Sequence, residues 1–262
     1  MVKTEKSNHG LWIKLNNPTT SNSITYEMID QLVSALNSAE SDPEIRVVVI
    51  TGEGKNFCSG GDLNRMQKKE EMFAGESEEL RRRYEQGIQR ISKAMESFSK
   101  PIIAMVNGAA AGAGCDLACM CDIRFGTTET KFLESFVKIG LVPGDGGTFF
   151  LQRIVGYAKA MELTLTGRVV SSREALQIGL LNKICDEGEL KAETEKMADL
   201  IAANAPIAVQ MSKKAIKISQ RADLQTSLEV LAAYQGIAQR TSDHFEALKA
   251  LSEKRLPQFR NE

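Results

Sequence analysis

The chain has 262 residues, 42% hydrophobic and 26% charged, with 33 basic against 34 acidic side chains and a formal net charge of -1. That length fits one large domain, or a core with an appendage, and near-neutrality gives no overall attraction to a polyanion. With aromatics at only 6%, neither a base-stacking surface nor a nucleic-acid partner is expected.

Strand and helix patterns alternate through the first two-thirds. Leu11–Leu15 reads as a strand ended by Asn16-Asn17-Pro18, and Thr25–Ala39 as a helix with Met28, Ile29, Leu32, Val33 and Leu36 on one face. Arg46–Thr51 is an almost wholly apolar strand, as expected when both sheet faces are covered. A polar stretch from Asn64 to Ser77 reads as mobile, and a long helix carrying Leu80, Tyr84, Ile88, Ile91 and Met95 follows it. Lys100-Pro101 ends that helix, and Ile102–Val106 forms a second buried strand. A short buried helix over Gly112–Cys121 and a strand around Asp122–Phe125 come next. After Gly188 only helical patterns remain, over 190–203, 207–219, 224–240 and 243–254. No run reaches about 18 consecutive apolar residues, so no bilayer span is expected. The opening Met1–Ser7 lacks the apolar stretch of a signal peptide, so the expected location is cytoplasmic.

Scarce residues narrow the chemistry. Only His9 and His244 exist, both near the ends, which disfavours a Ser-His-Asp hydrolase or a histidine metal site. The five cysteines, Cys58, Cys115, Cys119, Cys121 and Cys185, read as reduced thiols; no CxxC pair supports a metal cluster, and no metal is expected.

The two apolar strands each run into a glycine-rich turn. The first is Thr51-Gly52-Glu53-Gly54-Lys55-Asn56-Phe57-Cys58-Ser59-Gly60-Gly61-Asp62-Leu63, the second Asn107-Gly108-Ala109-Ala110-Ala111-Gly112-Ala113-Gly114-Cys115-Asp116-Leu117. Such turns let a ligand approach the backbone, and where they open a helix, free N–H groups converge on an anion or a developing oxyanion. Neither completes G-x-G-x-x-G, and no phosphate loop is present. A dehydrogenase of the Y-x-x-x-K type is also disfavoured, because no lysine follows Tyr157 at that spacing.

Together the motifs resemble the crotonase, or enoyl-CoA hydratase/isomerase, superfamily along nearly the whole chain. The matching pieces are Phe57–Leu63, Lys100–Gly108, Gly112–Ala118, Cys121-Asp122 and Gly140–Gly147, then Leu165-Thr166-Gly167, Ala175, Gly179-Leu180 and Glu253-Lys254-Arg255. The resemblance implies an α/β fold, a crotonase-like spiral of repeated ββα units over residues 1–200. A C-terminal helical region over 201–262 would serve trimerisation and active-site cover. It implies an acyl-CoA substrate, a homotrimer or dimer of trimers, and no cofactor other than the coenzyme A carried by the substrate. By position, the oxyanion hole would be the backbone N–H groups of Gly61 and Ala113, with alanine where glycine is more usual. Ser59, Gly60, Asp62, Leu63 and Gly112 would contact substrate, and Lys254 would meet the CoA phosphates of a neighbouring subunit.

The acids decide the reaction. Family hydratases use two carboxylates; the first falls at Asp116, one methylene shorter than usual, and the second at Phe136, which is no acid. Asp145, near a position some isomerases use, and Glu134, on the same side as Phe136 if the strand is extended, are the substitutes. The expectation is therefore an enoyl-CoA hydratase-type enzyme working through an enolate, with Asp116, Asp145 and Glu134 as catalytic candidates. The alternatives are an enoyl-CoA double-bond isomerase and an acyl-CoA-binding homologue with weak catalysis.

Overall fold

The computed structural model describes residues 1–262, folded around two sheets. The larger has six strands in the order β1 (Val2–Ser7), β2 (Gly10–Leu15), β3 (Val47–Gly52), β4 (Ile102–Val106), β6 (Ile123–Thr127) and β9 (Lys183–Cys185). From β2 onward the pairings are parallel. The smaller sheet joins β5 (Ala109–Ala111), β7 (Lys131–Leu133) and β8 (Val169–Ser171).

All six residues of β3 are buried, because helices cover both faces. One face carries Ile13, Leu15, Val48, Ile50, Ile102 and Ala104 into the main core, with Met28, Ile29, Leu32 and Leu36 of α1 (Tyr26–Ser41). Thr25 caps α1 by accepting the Met28 N–H. The opposite face, with Trp12, Val47, Val49 and Ile103, packs on Ala198 and Ala202 of α9 (Leu190–Ala202). Helix α9 therefore belongs to the sheet and runs across the expected 200/201 boundary; the separate helices begin at Pro206.

Three local readings are corrected. Strand β1 was not foreseen, since Val2–Ser7 is mostly exposed; it pairs antiparallel with β2, and Lys3, Glu5 and Lys6 leave a charged outer edge. The expected single helix is two, α3 (Ser77–Gln86) and α4 (Gln89–Ser97), broken at Gly87. A Cβ at Gly87 would collide with the Arg83 carbonyl oxygen and lie 3.1 Å from the Tyr26 ring. The polar stretch expected to be mobile folds into α2 (Leu63–Lys68) and a 3-10 turn at Glu71–Phe73, with Met72 buried. Asp62 caps α2, accepting the N–H groups of Asn64 and Arg65.

Helix α5 (Ala113–Met120) is buried at every position. Helices α6 (Gly147–Val155), α7 (Tyr157–Thr166) and α8 (Ser172–Gln177) complete the core unit, followed by α10 (Pro206–Ser219), α11 (Leu224–Ala238) and α12 (Ser242–Ser252). Lys213 pins α10 to the core through a 2.7 Å pair with Asp122. Further out, α11 and α12 leave Leu224, Leu228, Leu231, Ile237, Phe245, Leu248 and Leu251 exposed. No helix is long and apolar enough to cross a membrane.

Candidate active site

The two glycine-rich turns lie side by side. The Ala111 N–H donates to the Cys58 carbonyl at 2.9 Å, and the N–H groups of Phe57 and Cys58 donate back to Ala109 at 3.0 and 3.2 Å. This short pairing fixes the end of one turn against the start of α5. Gly60 has φ +81°, and a Cβ there would lie 2.7 Å from the Ala111 carbonyl oxygen and 2.9 Å from the Ala113 nitrogen. Only glycine admits that approach.

The approach leaves two amides free. The Gly61 N–H finds no backbone acceptor. Ala113 opens α5, where the first N–H groups have no acceptor within the helix. The preceding Gly112 amide is spent on the Leu133 carbonyl at 2.8 Å. Gly61 and Ala113 both wall a single cavity of about 290 Å³. Its lining is largely apolar: Ile24, Met66, Met72, Phe73, Tyr84 and Phe136 are among its residues. A larger groove, about 810 Å³, runs beneath α10, but neither glycine-rich turn contributes to its wall.

Three carboxyls gather at the inner end of this cavity. Asp145 forms part of the wall and is 2% exposed, while Asp116 and Glu134 are 0% and 4% exposed. No cationic side chain reaches any of their six oxygens. Asp116 stands between the other two, within hydrogen-bonding reach of both. Burial pushes the Asp116 carboxyl well above its usual range, and the neighbouring charges of Asp145 and Glu134 push it further. Being in the first turn of α5 favours its charged form, but desolvation outweighs the helix dipole here. Burial likewise raises Glu134 and Asp145.

Each acid is held from a different element. Asp116 rises from α5 and presses on Gly147, where a Cβ would overlap its carboxyl. Asp145 lies in the turn before α6, and α4 grips that turn: the Gln89 amide donates to the Gly144 carbonyl at 2.8 Å, and the Ser92 hydroxyl to the Asp145 carbonyl. Glu134 follows β7, but the extended geometry expected there stops at Leu133, and a 3-10 turn begins at Ser135. Glu134 and Phe136 consequently part: Phe136 faces the cavity and packs on Gly112, while Glu134 turns inward to Asp116.

Among the expected contact residues, Ser59, Leu63 and Gly112 line the cavity with Gly61 and Ala113. Gly60 and Asp62 act behind it, as the close-packed glycine and the α2 cap. Lys254 is exposed just past α12 and forms no part of this chain's cavity wall. Sequence reasoning missed Arg83, Tyr84 and Lys138 in the wall, and Gln89 and Ser92 behind it. In the sequence Tyr84 is one of the apolar-face residues of a helix, and nothing in the spacing of Gln89 and Ser92 marks them.

Residues 5–262 match the family model described as enoyl-CoA hydratase/isomerase. The chain is 34% identical over 264 residues to a short-chain-enoyl-CoA hydratase of Clostridium acetobutylicum, covering 99% of this chain and 98% of that one. It is also 34% identical to a 1,2-epoxyphenylacetyl-CoA isomerase of Escherichia coli, over 94% of this chain and 93% of the other. The crystal structure of an enoyl-CoA hydratase from Bacillus anthracis superposes with a TM-score of 0.93 at 30% identity, covering 100% of this chain and 99% of that one.

Proposed function

Because the chain belongs to the enoyl-CoA hydratase/isomerase family, we propose that it is an enoyl-CoA hydratase-type enzyme acting on an acyl-CoA thioester. The observation that carries this reading is the pair of free amides, Gly61 and Ala113, on one cavity that also has Asp145 in its wall. A thioester carbonyl seated on both amides gains most from them when it becomes an enolate oxygen, because preorganised donors act where charge develops. In hydration, Asp145 takes a proton from water as its oxygen adds to the β-carbon. The electron pair of the double bond moves onto the enolate, and the α-carbon then receives the proton. The chemistry needs neither a metal nor a redox group, and coenzyme A enters as part of the substrate.

A second reading, double-bond isomerisation, is favoured by Phe136. Its ring occupies cavity wall where the family resemblance calls for a second acid, so Asp145 is the one carboxyl lining the cavity. A single carboxyl suffices to remove a proton from one carbon of the enolate system and return it to another. Crotonyl-CoA hydration and 3-enoyl-CoA isomerisation, measured on the same preparation, decide between the two. Asp145→Asn is expected to lower either activity by ~10²–10⁴. Phe136→Glu is expected to raise hydration relative to isomerisation. Unchanged turnover by Asp145→Asn contradicts the proposal.

The proposed assembly is a homotrimer or dimer of trimers built on the exposed apolar faces of α11 and α12. In such an assembly Lys254 would approach the CoA phosphates of a neighbouring subunit.

A further inference from the structure

Three carboxyls with no cation among them need a physical account. None makes an ion pair, and the Cys115 thiol beside Glu134 is the one side chain of another kind that can donate to them, although all three are more than nine-tenths buried. Three such charges in a dry interior repel one another and forgo their hydration, with no cation to offset either loss. The cluster therefore has to hold protons, and the only arrangement the contacts allow is a line: cavity, Asp145, Asp116, Glu134. At the cavity end Asp145 faces the space on which the Gly61 and Ala113 amides open. At the inner end Glu134 does not itself line the cavity.

We infer that these residues form one proton-sharing unit in which Asp145 exchanges the proton with substrate, and Glu134 is a positioning residue that acts on Asp145 through Asp116. The inference rests on the proposed enolate chemistry for its consequence, though the sharing itself is a property of the free protein. Asp116, the most deeply buried, holds a proton and divides its hydrogen bond between its two neighbours. When Asp145 takes a proton from carbon or water, the C–H or O–H pair stays behind, on the enolate system or on the water oxygen that adds to the β-carbon. Asp145 becomes a neutral acid, and Asp116 turns its own proton toward Glu134. The negative charge that Asp145 gives up is matched by the charge developing on the enolate, and on return of the proton the sequence reverses and restores the core.

The groups facing the unit are few. Tyr84 of α3 lies near Asp145, and both burial and the Asp145 charge raise its phenol. The Cys58 thiol also feels Asp145, and burial pushes it up to about 12, so it stays neutral. Cys115 lies beside Glu134 and is raised well above the ordinary thiol range. Arg83 and Lys138 share the cavity wall but pair with none of the three.

The sign of the effect follows. An ionised Glu134 disfavours a second charge at Asp145 and draws part of the Asp116 hydrogen bond away from it. Glu134→Gln removes both effects, so Asp145 ionises more readily. The acidic limb of the kcat/KM profile on an enoyl-CoA is expected to move down by about one pH unit, with KM unchanged. Asp116→Ala, which deletes the shared donor, is expected to move it up; Asp116→Asn, whose amide still donates, restores most of the wild-type position. The same linkage is read without turnover by 13C NMR titration of aspartate and glutamate side-chain carboxyls in the free protein. In wild type the Asp145 signal is expected to titrate in more than one step, collapsing towards one step in Glu134→Gln. A single, unchanged Asp145 titration in both proteins overturns the inference. A multi-step titration in a protein that turns over no enoyl-CoA would keep the shared protons and reject the enzymatic reading. Should Glu134→Gln fail to fold, the wild-type titration alone decides.

Discussion

Asp116 carries a cost that its proposed place between Asp145 and Glu134 explains. In the unfolded chain it and its two partners ionise near pH 4, the ordinary carboxylate range (about 3.9 to 4.3). In the folded chain all three are raised, so the native state holds more protons over the interval between. Their contribution to stability is full below about pH 4 and is lost as pH rises through the folded values. Asp116→Asn is therefore expected to stabilise the protein by about 1 kcal/mol or more at pH 8, with the gain vanishing near pH 4, as thermal unfolding at the two pH values will show. The same replacement is expected to cost activity, the familiar trade between a strained site and a stable core. At this level the sequence was a good guide to identity and a poor one to depth. Asp116, Asp145 and Glu134 were all named from position, but their burial, their alignment and the inward turn of Glu134 depend on a 3-10 bend that alternation cannot reveal.

The supporting elements set how sharply these groups are placed. Helix α4 secures the turn bearing Asp145 through Gln89 and Ser92, two polar residues on a helix otherwise recognised by Ile91 and Met95. Gln89→Ala is expected to lower kcat by about tenfold or more while leaving the melting temperature within a few degrees, since small misplacements of a reacting group are costly. Helix α10 depends on Lys213, whose ammonium pairs with Asp122 and donates to the Lys100 carbonyl, both at 2.7 Å. Burial lowers the Lys213 pKa, with Asp122 opposing the shift. Lys213→Ala leaves Asp122 with the Ile102 N–H but no cation and is expected to destabilise by about 1–3 kcal/mol in denaturant titrations. Helices α1, α5 and α9 and strands β2, β3 and β4 were legible because periodicity and burial coincide in them. The break at Gly87 was not, because it answers to the Arg83 carbonyl and the Tyr26 ring, neither visible in a helical wheel. Strand β1 escaped notice because an edge strand need not be apolar.

Across the molecule, polarity is unevenly distributed. The sheet-bearing part holds the main apolar core, though Val142, Tyr157 and Leu165 stay exposed on it, and α11 and α12 present leucine, isoleucine and phenylalanine side chains to solvent. Contiguous apolar faces of this kind mark surfaces that other protein covers. If the proposed trimer uses them, Leu228→Glu with Leu231→Glu is expected to shift the sedimenting species from trimer or hexamer to monomer. An unchanged sedimentation profile would place the contact elsewhere. The overall spiral and its helical tail were legible from the order of the motifs. The reach of α9 across the expected boundary was not, because its place against the sheet follows from Trp12, Val49 and Ile103, residues distant in sequence.

The proposed chemistry depends on two main-chain donors, and one of them can be deleted by a single substitution. Ala113 is the first residue of α5, where proline is well tolerated, and Gly112 before it already adopts a conformation open only to glycine. Ala113→Pro removes the N–H at a position that suits proline in the helix, while its ring presses on the neighbouring Gly60 turn, where a Cβ would already lie 2.9 Å from the Ala113 nitrogen. Measured at saturating enoyl-CoA on protein shown to be folded by circular dichroism, kcat is expected to fall by ~10²–10³. A variant that folds normally and turns over at the wild-type rate would contradict the assignment of that amide to the reacting carbonyl.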